Sequence, residues 1–143
     1  MEIQYALLSM NETEFSFNYD IDYDNFDESK VQLKFANKIT VDKKKEELVI
    51  SFDVYICSVT DDVIYAKNSI RTVFGMKPFN DVIEQTDDDS FKVKAPDLID
   101  TFINVTIGAV RGMFAKNLKG TPLNKFILPL IPMSMIRKTF MKK

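Results

Sequence analysis

An α+β fold, a four-stranded antiparallel meander sheet with one long helix packed on one face, is what this 143-residue sequence predicts. Three observations predict it. Four segments before residue 75 alternate apolar and polar side chains at the period of a strand. Short polar connections separate the last three of them, which implies antiparallel neighbours. After residue 95 a single stretch repeats at the period of a helix, between clear start and stop signals.

The first alternating segment places Ile3, Tyr5, Leu7, Phe15, Phe17, Tyr19 and Ile21 at odd positions around a polar centre of Asn11, Glu12 and Thr13. It reads as one long bent strand or as a pair. Asp20 to Ser29 (DIDYDNFDES) is acidic and without period, a loop, but its Tyr23 and Phe26 are large aromatics that need somewhere to dock. Val31, Leu33, Phe35, Ile39 and Val41 give the next strand, and the charged DKKKEE a turn. Leu48 to Ile56 and Ile64 to Phe74 alternate as the third and fourth strands, joined through Thr60, Asp61 and Asp62. Pro78 to Lys94 reads as a linker with a helical turn near Phe79 to Gln85 and a solvated Asp87, Asp88, Asp89 loop.

The helix follows. Pro96 suits a first helical position, Asp97 and Asp100 complement the positive end of the dipole, and Lys116 and Lys119 the negative end. Gly120 can take the left-handed conformation after the last turn, and Pro122 stops continuation. On a helical projection Leu98, Ile99, Phe102, Ile103, Val105, Ala109, Val110, Met113 and Phe114 form a broad apolar arc that must be buried. Opposite lie Thr101, Asn104, Gly108, Arg111, Gly112 and Ala115, with one charge where a solvated face would carry several. Each interior glycine costs about 0.8–1 kcal/mol relative to alanine. Two on one arc suggest helix contact in an oligomer; the alternative is that the chain's own loop covers this face.

With 45% hydrophobic residues the chain reads as one domain over residues 1–143, with material for a real core. MEIQYALLSMNETE lacks the cationic start and apolar run of a signal peptide. No window is expected to span a bilayer, so the expectation is a soluble cytoplasmic protein. Cys57 is the only cysteine and there is no histidine, which argues against a disulfide or a zinc site. The three adjacent aspartates lack the spacing and turn glycines of a calcium loop. No GxSxG and no glycine-rich phosphate loop occurs. The expectation is therefore no enzyme, no cofactor and no metal.

The charge is divided. The first hundred residues carry 11 basic and 21 acidic side chains, a net −10, whereas the last 43 carry 8 basic and none acidic, a net +8. Such an end could meet nucleic acid, anionic lipid or an acidic partner. Because the cations are spread out, the two halves are instead expected to lie against each other, and no nucleic acid is expected. The more informative anomaly is the apolar run from Leu123 to Ile136, in which Pro129 and Pro132 argue against an ordinary helix or central strand. It must pack as extended chain. Either it closes the core or it walls a groove for other apolar chains, to which methionines such as Met133 and Met135 would be suited.

Four strands followed by a long helix, the passage AVRGMFAKNLKGTPLNKFILPLIP and the stretch IYAKNSIRTVFGM together resemble the SecB-like protein-export chaperones, over nearly the whole chain. The resemblance implies that protomers pair through their sheets and that two pairs join through helices into a homotetramer. It implies an ATP-independent holdase for unfolded polypeptides, with a groove lined here by Tyr23, Phe26, Phe114, Phe126, Leu128 and Ile131. Delivery to the SecA translocation motor is a further implication. Many members of the family end in a metal-linked or acidic docking tail, whereas this sequence ends MIRKTFMKK. That departure leaves open an oligomeric adaptor, or a specialised SecB-like chaperone serving a toxin–antitoxin pair.

Overall fold

The computed structural model describes residues 2–86 and 91–140, so the three adjacent aspartates lie outside the described residues. Four strands, β1 (Gln4–Phe17), β2 (Val31–Asp42), β3 (Glu47–Ser58) and β4 (Ile64–Lys77), form one antiparallel sheet in the order β1-β4-β3-β2. The expected meander holds for β2 to β4. β1, however, lies beside β4 rather than β2, because residues 18–30 form a long connection and only the other two are tight turns. This loop crosses the end of the sheet, a span of about 14 Å at three interstrand spacings of roughly 4.8 Å.

β1 is a single strand with two register shifts, between Leu7 and Ser9 and between Glu12 and Glu14. Each bulge skips one residue. Two skips restore the original parity, so Tyr5, Leu7, Phe15 and Phe17 all share a face. That face continues through Ala66, Asn68, Ile70, Thr72 and Phe74 of β4, and through Leu48, Ile50, Phe52, Val54 and Ile56 of β3, paired with them one to one.

The long helix α2 (Pro96–Asn117) packs on this face and buries Ile99, Phe102, Ile103, Thr106, Ile107, Val110 and Phe114. Phe102 stacks on Phe74 with ring centroids 4.2 Å apart. The expected arc holds at Ile99, Phe102, Ile103, Val110 and Phe114 and fails at Val105, which is exposed while Thr106 and Ile107 are buried. A threonine scores as polar, but Thr106 meets Thr72 of β4 with the hydroxyls 2.7 Å apart. One donates to the other, while the second proton has a backbone carbonyl in reach, Phe102 at 2.9 Å or Ile50 at 3.4 Å. Both buried hydroxyls are satisfied. Near the other end of α2, the fully buried Asn68 donates to a Glu12 carboxylate oxygen and to the Glu14 carbonyl, each at 2.9 Å. Asn117 donates to the same Glu12 oxygen at 2.6 Å and to Asn68 Oδ1 at 3.0 Å, which fixes the helix end to the bulged strand.

Three expectations are corrected. The linker is largely structured: α1 (Phe79–Val82) buries Phe79 and Val82, and β5 (Ile83–Gln85) pairs with β6 (Phe91–Val93) as a hairpin. The C-terminal run, expected to be extended, turns at residues 122–125, is irregular over residues 126–132, and then forms α3 (Met133–Phe140), which buries Ile136. Pro132 does not oppose that helix because it needs no N–H at the start; its carbonyl accepts from the Met135 and Ile136 amides at 3.0 and 3.4 Å. Finally, α2 is long and apolar enough to cross a bilayer by length and composition, contrary to expectation. Its apolar side is spent on the sheet, as in a core helix.

The Thr72–Thr106 pair yields a coupling prediction. Thr106→Val should cost about 1–2 kcal/mol, because a buried hydroxyl loses its neighbour, whereas Thr72→Val with Thr106→Val should cost less than the two single costs added. Urea unfolding of the four proteins measures it; additive costs would contradict the shared bond.

Candidate functional site

Two segments bring the unusual side chains to the surface: the crossover loop between β1 and β2, and the chain that follows α2. The loop is shaped by its own acids. The Asp22 carboxylate accepts from the Asp24 amide (3.2 Å) and Asn25 Nδ2 (2.7 Å), setting the short turn Tyr23–Asn25. Asp27 does the same for Glu28–Lys30, accepting from the Ser29 hydroxyl (2.6 Å) and amide (3.0 Å). The Ser29 hydroxyl, and then its amide, hold the Asp27 carboxyl below the ordinary carboxylate range. The acidic composition is therefore turn chemistry as much as solvation.

Those turns aim the aromatics inward. Tyr23 stands between Phe17 (5.4 Å) and Phe26 (5.3 Å), and Phe26 meets Tyr65 edge to face at 4.9 Å. The Tyr23 hydroxyl donates to the Asn18 carbonyl at 2.6 Å, and burial, with Tyr65 second, pushes its pKa above the ordinary value. Tyr19, at the outer end against Phe17, remains exposed.

After α2 the chain reverses at Gly120, whose φ of 81° is the left-handed conformation glycine tolerates. The Thr121 hydroxyl donates to the Leu118 carbonyl (2.7 Å) and accepts from the Leu123 amide (3.2 Å), and Leu118 and Leu123 drop into the core. Residues 126–132 then run without helix or strand as an arch. Leu128 is an inward peg at 3% exposure, while Ile127 and Leu130 stand out at 63% and 87%. The Arg111 guanidinium clasps the arch from α2, donating from Nε to the Leu128 carbonyl (2.8 Å) and from Nη2 to the Pro129 carbonyl (2.9 Å). Lys125 forms an ion pair with Glu28, joining the start of the arch to the crossover loop.

Of the residues that the family resemblance implicates in client binding, Phe114 (1% exposed) and Leu128 are core side chains and offer no surface. Tyr23 and Phe26 in the loop, and Phe126 and Ile131 on the arch, are half-buried against the core edge. Ile127 and Leu130 were missed. Alternation of an extended chain could have found Ile127 beside an inward Leu128, but it would have turned Leu130 inward with Leu128, and no local pattern marks Leu130 as exposed. Among the expected oligomer residues, Thr101, Asn104, Gly108 and Gly112 are exposed, and Ala115 is half-buried. Among the described residues, a methyl group at Gly108 or Gly112 would meet nothing within 4 Å, so none of the chain described covers those positions. Arg111 is half-buried because its side chain is engaged with the arch.

Two measurements follow from this geometry. Arg111→Met removes two charge-assisted bonds, each worth about 1.5–3 kcal/mol when intact, and should speed limited proteolysis between residues 126 and 132 by roughly tenfold or more. Unchanged cleavage there would mean the clasp holds nothing. Because the Asp27 pKa is depressed on folding, its contribution is complete above the unfolded value of about 3.9 and is lost as pH falls through the lower folded value. An NMR titration of the Ser29 amide should show that low inflection, and Asp27→Asn should abolish it.

No protein-family model matches the sequence, and no curated protein is significantly similar to it. Among solved structures, the Mycobacterium tuberculosis Rv1957 SecB-like chaperone, in complex with a ChAD peptide from the Rv1956 HigA1 antitoxin, is similar with a TM-score of 0.54 and 13% identity. The likeness covers 90% of this chain and 91% of that one. A sheet ordered β1-β4-β3-β2, one long helix laid across it and coverage of nearly the whole length together show that this chain has the SecB-like fold.

Proposed function

We propose that the protein is a nucleotide-independent chaperone that holds non-native polypeptide segments on the arch after α2 and the aromatic loop beside it. The observation that carries this reading is the exposure of Ile127 and Leu130 on a segment clasped in place by Arg111. A floppy tail would lose much of its binding energy on being ordered, whereas a clasped one has already been ordered by folding. Fully burying each such side chain against a client is worth roughly 1.5–3 kcal/mol, and apolar contact is non-directional, so binding is broad. The arrangement holds and does not catalyse.

Self-association into a dimer or tetramer is part of the proposal. The uncovered stripe of Thr101, Asn104, Gly108 and Gly112 supports it, and so do exposed apolar side chains on the α2 side of the sheet, Tyr5, Leu7 and Met10 of β1 and Val105 of α2. A cytoplasmic location is proposed with it; the free, buried Cys57 agrees with a reducing compartment. The similar chaperone's complex with an antitoxin peptide favours a dedicated client over general export. Delivery to SecA is the alternative destination and rests on the family resemblance alone.

The protein should suppress aggregation of a reduced, unfolded protein without added nucleotide, and Ile127→Ser with Leu130→Asp should weaken capture about tenfold or more while the unfolding midpoint stays put. Capture equal to that of the unaltered protein would remove the arch from the mechanism. A strictly monomeric species at micromolar concentration would remove the self-association.

A further inference from the structure

The face of the sheet turned away from α2 carries a second set of surface features, separate from the arch. Near the turn joining β2 to β3, a recess of about 780 Å³ is bounded by Thr40, Lys43, Lys44, Val49 and Arg71. A neighbouring recess of about 570 Å³ continues toward β1 past Lys45, Gly75, Leu8 and Ala6, and Lys44 lines both. Together they make a shallow trough across the end of the sheet, from the β2 edge to the β1 edge. Its floor is aliphatic, and its rim is cationic.

Residues 1–100 carry an acidic excess of ten, yet six of their eleven cations, Lys38, Lys43, Lys44, Lys45, Arg71 and Lys77, gather at this one end. All six are exposed, and among the described residues none lies within ion-pair distance of a carboxylate. Their nearby acids, Asp42, Glu46 and Glu47, are fewer. Like charges crowded without partners repel one another, and an anionic occupant relieves that repulsion beyond what salt screening does.

We infer that this trough docks a short extended stretch of polypeptide in which acidic side chains alternate with aliphatic ones. Two features select a peptide over a nucleic acid. Val49, Leu8 and Ala6 offer an aliphatic floor, the aromatic at its border, Tyr5, turns its ring to the α2 side against Phe102 rather than across the floor, and Asp42 and Glu46 interrupt what would otherwise be a continuous phosphate track. The width of the sheet end, about 14 Å, accommodates four or five extended residues at roughly 3.3 Å each. In such a strand alternate side chains face opposite ways, so acids can reach the lysine rim while valine or leucine meets the floor. The trough shares no residue with the arch, so client capture and this docking can fail independently.

Fluorescence anisotropy tests it with a dye-labelled octapeptide alternating glutamate with valine and leucine. The same peptide with glutamine for glutamate, and an eight-nucleotide oligothymidylate, serve as comparisons. The acidic peptide should bind, weaken as salt is raised, and exceed the glutamine peptide at least tenfold. Lys44→Glu with Arg71→Glu should lower its affinity tenfold or more; Lys44→Gln with Arg71→Gln should lower it by less, and guards against misfolding of the reversed variant. Ile127→Ser with Leu130→Asp should leave the preference for the acidic over the glutamine peptide unchanged. Equal binding of the two peptides, indifference to Lys44 and Arg71, or tighter binding of the oligonucleotide would overturn the inference. So would a fall in solution mass on charge reversal, which would make the trough a contact between copies.

Discussion

A four-stranded sheet is wider than the helix laid on it. Three interstrand spacings span about 14 Å before side chains are counted, whereas the contact a single helix makes is narrower, since its diameter of about 10–12 Å includes the side chains pointing away. α2 is seated on β3 and β4, where the Phe74–Phe102 stack and the Thr72–Thr106 pair fix its position. The flanks of the same sheet face are left to other parts of the chain. α3 packs by β2, the crossover loop fills one end with aromatics, and the β1 flank stays open with Tyr5, Leu7 and Met10 exposed. Surplus apolar surface is thus a consequence of geometry before it is a functional device.

Polar contacts decide how that surplus is presented. Arg111 takes up the free carbonyls of an arch that, with two prolines, cannot satisfy them in a helix or a central strand. Asn68, Glu12 and Asn117 do the corresponding work where α2 ends beside the bulged strand. In both places a side chain holds irregular backbone so that neighbouring apolar groups keep a fixed orientation. Without such anchors Leu128 could leave the core and Ile127 with Leu130 could fold over it.

The sequence made much of this legible, and its failures share a cause. Strand alternation and the Pro96 and Gly120 signals located the sheet strands and α2 because those patterns are local. Strand order was not local: nothing in DIDYDNFDES states that it crosses to the far edge of the sheet. Nothing local marks Thr106 for the core, because its partner, Thr72, is 34 residues away. The run holding Leu128 was rightly seen as too apolar for an exposed tail, but which of its side chains face inward depends on how Arg111 holds the Leu128 and Pro129 carbonyls. The lysines of the DKKKEE turn looked like ordinary solvated charge until the strand pairing brought Arg71 beside them.

Hydrogen–deuterium exchange of the assembled protein, with and without a saturating reduced and unfolded client, tests the account most directly. Client should slow exchange at the amides of residues 126–131 and of the crossover loop, while the centre of β3 is unaffected. Protection confined to other parts of the molecule, or none at all at concentrations where the client is held in solution, would contradict the claim that the clasped arch is where strangers' chains are bound.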